Sequence, residues 1–271
     1  MTMKTDELLL AQIEDKIQQA DDWSAMTSGD FLDMHQKKVV MDFARSRKLP
    51  VRMVFYGGYP DAERCMPLFL PDYIQWGPNQ GEDGTEVPAE ISQLLRVARV
   101  KAPKGGRALT HRDYLGSVLG LGIDREVTGD ILVRDQNDPL GCGADIIVES
   151  EIAEFIELNY NKAGRTNLEV SIHPIEELCM GTVNIVQKQD TVASLRLDSI
   201  VASAFALSRA KAAEAIRRGL VSVNSMEALK IDMEIEEGDK IVLRGKGKVV
   251  LTQVGGVSRK DRTRIIFDVY K

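Results

Sequence analysis

Four side chains with fixed positive charge fall within ten positions of the segment SRAKAAEAIRRGLVSVN, residues 208–224: Arg209, Lys211, Arg217 and Arg218. Guanidinium forks bind phosphate oxygens two at a time, and an ammonium binds them as a point charge, so this grouping suits anion capture. Ser208 is placed to accept a hydrogen bond from a free N–H in the first turn of a helix. Gly219 sits where a left-handed C-cap belongs. Helical spacing puts Ala213, Ile216 and Leu220 on one stripe, Lys211, Glu214 and Arg218 on the opposite stripe, and Arg217 at the flank. The first turn of such a helix also offers unpaired N–H groups and a partial positive charge, which suit phosphate. The same residues fit a solvated helix surface laced with i,i+4 pairs such as Glu214 with Arg218, and the charge pattern alone leaves both readings open.

The neighbouring segments supply what must position these cations. Val221 and Val223 alternate with Ser222 and Asn224, as in a half-buried strand. The stretch LDSIVASAFA reads as an earlier helix that offers Ile200, Val201, Ala204 and Phe205 for packing, with Arg196 just before it, placed to join Arg209 and Lys211 on one surface. EEGDKIVLR adds a Gly-Asp turn and another strand. Residues 191–271 carry 15 Lys and Arg against 10 Asp and Glu, although the 271-residue chain has a net charge of −6. A basic end on an acidic chain suggests a polyanion-binding module joined to something of another kind.

The rest of the chain reads as α+β. Residues 4–20 and 33–48 have helical spacing, and 51–56 and 65–70 read as strands around Gly57-Gly58 and Pro60-Asp61 turns, giving a small N-terminal unit over 1–77. GPNQGEDGTEVPAE then reads as a linker. Between 85 and 180 we expect strands at 94–101, 130–134, 144–148 and 168–172 with helices at 110–120 and 150–160, the β-α-β-β-α-β order of the ferredoxin-like plait. RNA-recognition modules use this plait with base-stacking aromatics on the central strands, and LLRVARVK and ADIIVES offer none. A further strand is expected at 182–186, with the third domain over 188–271.

Other chemistry is poorly supplied. Three scattered cysteines (Cys65, Cys142, Cys179) suit reduced thiols in a cytoplasmic protein, and His35, His111 and His173 lack metal-ligand spacing, so no metal and no cofactor are expected. No apolar run reaches the roughly 18–20 residues of a membrane span, and the acidic amphipathic N-terminus does not read as a signal peptide. Asp61 and Glu63 in GGYPDAER are explained by turn geometry before catalysis, and KGGR at 104–107 by a flexible loop before a phosphate cradle. In THRDY, Thr110 reads as a helix cap with Asp113 as its complement. The lysines of RGKGKVV, 244–250, either extend a basic face or keep a strand edge soluble.

The segment SLRLDSIVASAFALSRAKAAEAIRRGLVSVNS…IEEGDKIVLR resembles the RNA-binding domain named after small-subunit ribosomal protein four, matching at Arg196, Leu197, Asp198, Ser208, Arg209, Ala212 or Ala213, Ile216, Gly219, Val221, Val223, Asn224, Gly238, Asp239 and Ile241. The chain departs from that pattern at Ser225, where the domain has glycine. FYGGYPDAER, LTHRDYLGSVLGLGIDREVTGDILV and GGVSRKDRTRIIFDVY resemble the bacterial YlmH family over nearly the whole length. That resemblance implies a non-enzymatic, monomeric protein that binds ribosomal RNA and tRNA on the large ribosomal subunit, in quality control of stalled nascent chains, in a family once grouped with cell-division genes. It implies RNA contacts from Arg196, Arg209 and Lys211, with Ser208, Arg217, Arg218, Asn224, Lys230 and Arg244 completing the set, and leaves the acidic N-terminal part free to recruit a protein. The alternative is an RNA-modifying enzyme, a pseudouridine synthase or methyltransferase, that uses the C-terminal domain as an appendage. Against it, R-L-D lies inside the binding module itself and no glycine-rich Rossmann turn is convincing.

Overall fold

The computed structural model describes residues 2–60, 62–76, 87–103, 105–136, 138–180, 185–224, 226–257 and 261–270. It divides into two compact units, Met1–Thr182 and Val183–Lys271. Asp61, Lys104, Ser225 and most of the expected linker lie outside the described residues.

In the first unit, α1 (Thr2–Trp23) and α2 (Met34–Arg45) cover one face of a three-stranded antiparallel sheet of β1 (Thr27–Ser28), β2 (Arg52–Tyr56) and β3 (Met66–Leu70), in the order β1-β3-β2. The i, i+4, i+7 repeat of Ile13, Ile17 and Ala20 buries α1 against Val40, Phe43 and Phe69. A capping box starts α2: Asp33 accepts from the Gln36 amide and Gln36 accepts from the Asp33 amide, each at 2.9 Å. All of β3 is buried, and its alternation sorts the two faces, with Phe69 toward the helices and Met66, Leu68 and Leu70 the other way.

What those three residues meet is the second sheet. After a short α3 (Ala89–Ser92) come β4 (Leu95–Lys101), α4 (His111–Leu119), β5 (Thr128–Arg134), β6 (Gly143–Glu149), α5 (Ser150–Asn159), the small hairpin β7 (Lys162–Ala163) and β8 (Thr166–Asn167), and β9 (Glu169–Pro174). The sheet order is β5-β6-β4-β9 with every pair antiparallel. One face holds Ala98, Val100, Ile146 and Val148 under Tyr114 and Val118 of α4 and Ile156 of α5. The other face, with Leu95, Val97 and Ile147, shares a core with Phe31, Tyr56, Met66, Leu68 and Trp76. The segments expected as domains 1–77 and 85–180 therefore pack as one unit, because β3 has apolar residues on both faces and needs a cover on each.

The second unit is one six-stranded antiparallel sheet, order β10-β15-β14-β13-β11-β12, with two helices. Its elements are β10 (Ile185–Val192), α6 (Leu197–Ala204), α7 (Arg209–Arg217), β11 (Val221–Val223), β12 (Met226–Glu227), β13 (Lys240–Leu243), β14 (Gly247–Val257) and β15 (Thr263–Tyr270). The strand expected at 182–186 is found over Ile185–Val192 instead, paired with β15 along its whole length. Residues 182–184 lie outside the described set. Leu197, Ile200, Val201, Ala212 and Ile216 join Val221, Val223, Ile241, Val249, Leu251, Ile265 and Phe267 in a single core. The inner stripe of α7 runs through Ala212, fully buried, where the spacing predicts Ala213, which is half-buried. With alanines at 212, 213 and 215, the stripe's phase has little side-chain volume to define it.

Candidate nucleic-acid interface

Arg196 is the N-cap residue of α6, and Arg209 is the first residue of α7. Two backbone contacts fix the start of α6 against the segment 230–235: the Leu197 amide donates to Met233 O at 2.8 Å and the Asp198 amide to Ile231 O at 3.1 Å. Ser208 caps α7 by accepting from the Lys211 amide at 3.3 Å. At the other end Gly219, at φ +67°, closes a Schellman motif, with Gly219 N–H bonded to Ile216 O and Leu220 N–H to Ala215 O, each at 3.0 Å.

The two helix starts are joined by one carboxylate. Arg196 Nε donates to Asp198 Oδ1 at 3.3 Å and Arg209 Nη2 to Asp198 Oδ2 at 2.8 Å. The Asp198 side chain is 9% exposed, against 46% and 56% for the two arginines. Burial pushes the Asp198 carboxyl up, but hydrogen bonds from Arg209 and Arg196, with their charges, outweigh it and hold the group below the usual aspartate range. The guanidinium groups thus converge, and one carboxylate against two of them leaves a net positive charge whose remaining N–H groups are available to an anion.

Lys211 and Lys230 are exposed beside this pair, Lys230 preceding the Ile231 carbonyl that holds Asp198. Arg217, Arg218 and Arg244 form a separate group. Arg217 and Arg218 end α7, about 12 Å along its axis from Arg209 at 1.5 Å per residue. Arg244 N–H donates to Leu220 O at 2.9 Å, which brings its turn beside them. Arg218 also pairs with Glu214 at 3.7 Å, so the i,i+4 reading holds for that residue. Asn224 has a different job. It sits at φ +49°, its Nδ2 donates to Asp239 Oδ1 at 2.7 Å, and its Oδ1 accepts from the Lys240 amide at 3.0 Å, so its amide fastens the β11–β13 corner.

Three polar constructions in the two units escape the sequence pattern, and two of them are in the first unit. Arg99 and Asp145, directly opposite on β4 and β6, meet at 2.8 Å, and Arg134 binds the same fully buried carboxylate. The Cys179 amide also donates to Asp145 Oδ2 at 3.0 Å, and Asp138 lies 3.9 Å from Arg134. Opposite charges at facing positions of two apolar runs are the signal that could have found this network. Second, Asp130 accepts from Tyr59 Oη at 2.8 Å, Glu63 N at 2.7 Å and Arg64 N at 3.2 Å, while Arg64 spans to the carbonyls of Phe31, Thr128 and Arg125. The motifs GGYPDAER and GIDREVTGD therefore meet in one structural node, and Glu63 is part of it. The third is the Asp198 clamp itself. At α4, Thr110 and Asp113 form a capping box, with His111 and Arg112 exposed beside it.

The face of the plait on which RNA-recognition modules stack bases is the face covered by Phe31, Tyr56, Met66 and Trp76. On the α6–α7 surface of the second unit, Arg196 and Arg209 converge on Asp198 while about half of each arginine side chain stays open to solvent.

Residues 88–177 match the family model described as "Putative RNA-binding domain in YlmH". The chain is similar to the ribosome-associated protein quality control protein P2 of Bacillus subtilis, with 29% identity over 242 residues, covering 89% of this chain and 86% of that protein. Among solved structures, it matches the cell division protein ylmH from Streptococcus pneumoniae at 23% identity and TM-score 0.47, over 64% of this chain and 93% of that one. A pseudouridylate synthase structure matches over 23% of this chain and 26% of its own, with 30% identity and TM-score 0.20. The matched central segment and the alignment over most of both chains make this protein similar to the YlmH family.

Proposed function

We propose that this protein is a non-enzymatic RNA-binding protein that works on the ribosome, holding folded RNA by its sugar–phosphate chain with the α6–α7 face. The observation that carries the reading is the convergence of Arg196 and Arg209, from two helices, with about half of each side chain open to solvent. Lys211 and Lys230 widen that grip, and Arg217, Arg218 and Arg244 form a second contact further along α7. Duplex RNA is read mainly through backbone and shape, which suits a contact built from cations without exposed stacking rings. The Bacillus subtilis relative, named as a ribosome-associated protein quality control protein, supports a ribosomal setting; we place the protein on the large subunit, with ribosomal RNA and tRNA as the RNAs held and stalled nascent chains as the occasion. In this reading residues 188–271 hold RNA, while the acidic 1–180 part meets a protein partner in the cytoplasm.

Against the enzyme alternative stands the placement of R-L-D: Asp198 lies inside the binding module, 9% exposed, with Oδ1 accepting from Arg196 and the Ser199 amide and Oδ2 from Arg209, an arrangement that orients the two arginines. Sedimentation of cell extract through a sucrose gradient tests the proposal: co-migration with free large subunits is the expected result, and migration with the unbound soluble fraction at low salt overturns it. Nucleoside analysis of RNA incubated with the protein, with and without S-adenosylmethionine, is expected to reveal no modified base.

A further inference from the structure

We infer that Asp198 is a positioning residue for RNA: it sets the Arg196 and Arg209 guanidinium groups side by side before any ligand arrives. The inference rests on the reading of the α6–α7 face as the RNA grip and adds to it a residue whose own charge opposes the ligand.

The geometry is that of a two-sided clamp. Arg196 and Arg209 lie thirteen positions apart at the starts of different helices, and a long side chain at such a place is ordinarily free to rotate. Asp198 takes Nε of the first on one oxygen and Nη2 of the second on the other, at 3.3 and 2.8 Å. Its own position is fixed by backbone, since its amide is tied to Ile231 O and its Oδ1 accepts from Ser199 N. Each guanidinium has five N–H donors, so the clamp occupies a minority of them and turns the rest toward solvent. A carboxylate next to a phosphate site lowers the local positive potential. Its presence there is accounted for if the ordering of two flexible side chains outweighs that loss, since immobilising rotamer-rich side chains is a cost otherwise met on binding.

The sign of the Asp198→Asn effect separates this role from its rivals. Asparagine is nearly isosteric and removes one negative charge beside the RNA. Were Asp198 merely a nearby anion, the variant would bind RNA more tightly. Positioning predicts weaker binding, by about tenfold for two arginines that must now be ordered by the ligand. The assay is fluorescence anisotropy of the full chain with a labelled RNA stem–loop at fixed low salt, alongside a circular-dichroism melt to show that the variant is folded at the assay temperature. Arg209→Ala and the double variant Arg209→Ala/Asp198→Asn are measured in parallel. The expected result is that Asp198→Asn weakens binding in the parent and has a much smaller effect once Arg209 is gone. Equal or tighter binding by a folded Asp198→Asn overturns the inference while Arg209→Ala still reports on the RNA grip. If Arg209→Ala binds like the parent, the grip itself fails and the inference with it. Should Asp198→Asn not fold, Asp198→Glu, which keeps the charge on a longer stem, is read in its place: weakened binding supports positioning, and parental affinity overturns it.

Discussion

Replacing Asp145 by alanine should be the most damaging single change in the first unit. Its carboxylate is fully buried and holds two guanidinium groups, Arg99 at 2.8 Å and Arg134, together with the Cys179 amide at 3.0 Å. Alanine leaves Arg134, itself fully buried, with Asp138 at 3.9 Å as its remaining acid, and leaves Arg99, whose side chain is 10% exposed, with carbonyl contacts such as Glu177 O. Removing one partner from a buried ion pair costs about 3–5 kcal/mol. At about 2–4 °C per kcal/mol for a unit of this size, the first unit's melting midpoint should fall by roughly 6–20 °C. Differential scanning calorimetry reads this directly, because the second unit's transition should not move. A control removes the whole charged cluster: Asp145→Leu with Arg99→Met, Arg134→Met and Asp138→Asn leaves no unpaired buried charge among these residues and should recover much of the stability. A shift under about 2 °C for Asp145→Ala would refute the account, since it would mean that the guanidinium groups reach water or another acid without cost.

Three further outcomes follow from the same structure. Burial, then the nearby charges of Asp30 and Glu151, push the Glu149 carboxyl up to about 7 from its ordinary 4.5, so the folded chain holds that proton more tightly than the unfolded one; stability should fall as pH rises through this window, and Glu149→Gln should stabilise at pH 8 and not at pH 4 in thermal melts. Gly129→Ala would place a Cβ 2.9 Å from the Phe31 ring and 3.1 Å from Ile147 Cβ, an overpacking expected to cost about 1–3 kcal/mol by urea unfolding. Burial pushes the Cys65 thiol up while Cys142 and Cys179 are half-buried, so a thiol-disulfide reagent followed by mass spectrometry should label Cys65 last in the native protein.

The basic helix is readable because its signals are local: a serine cap, a helical stripe and a glycine stop all lie within a dozen positions of α7. Its expected phase is off by one residue, Ala213 for Ala212, because alanines at 212, 213 and 215 mark no side. The central strands and helices are legible from apolar runs and the Thr110 cap, and their bounds agree to within a few residues. What stays hidden depends on partners distant in sequence. QKQDTV is polar and falls beyond the strand expected at 182–186, yet it is part of β10 because β15, some seventy residues later, lies beside it. The separation expected near residue 80 follows from composition, whereas the core continues across it through β3. Asp198 is legible as part of a motif, but its clamp requires the apposition of two helices, and Asn224 belongs to the same motif for the sake of the fold.

The most direct test of the RNA grip is the salt dependence of binding to an RNA stem–loop, measured for the parent chain and for Arg209→Ala. The account predicts that the logarithm of the binding constant falls linearly with the logarithm of salt concentration, and that the variant binds more weakly with a slope shallower by about 0.7–0.9 for each phosphate it no longer neutralises. A parent slope near zero, or a variant with parental affinity and slope, would contradict it.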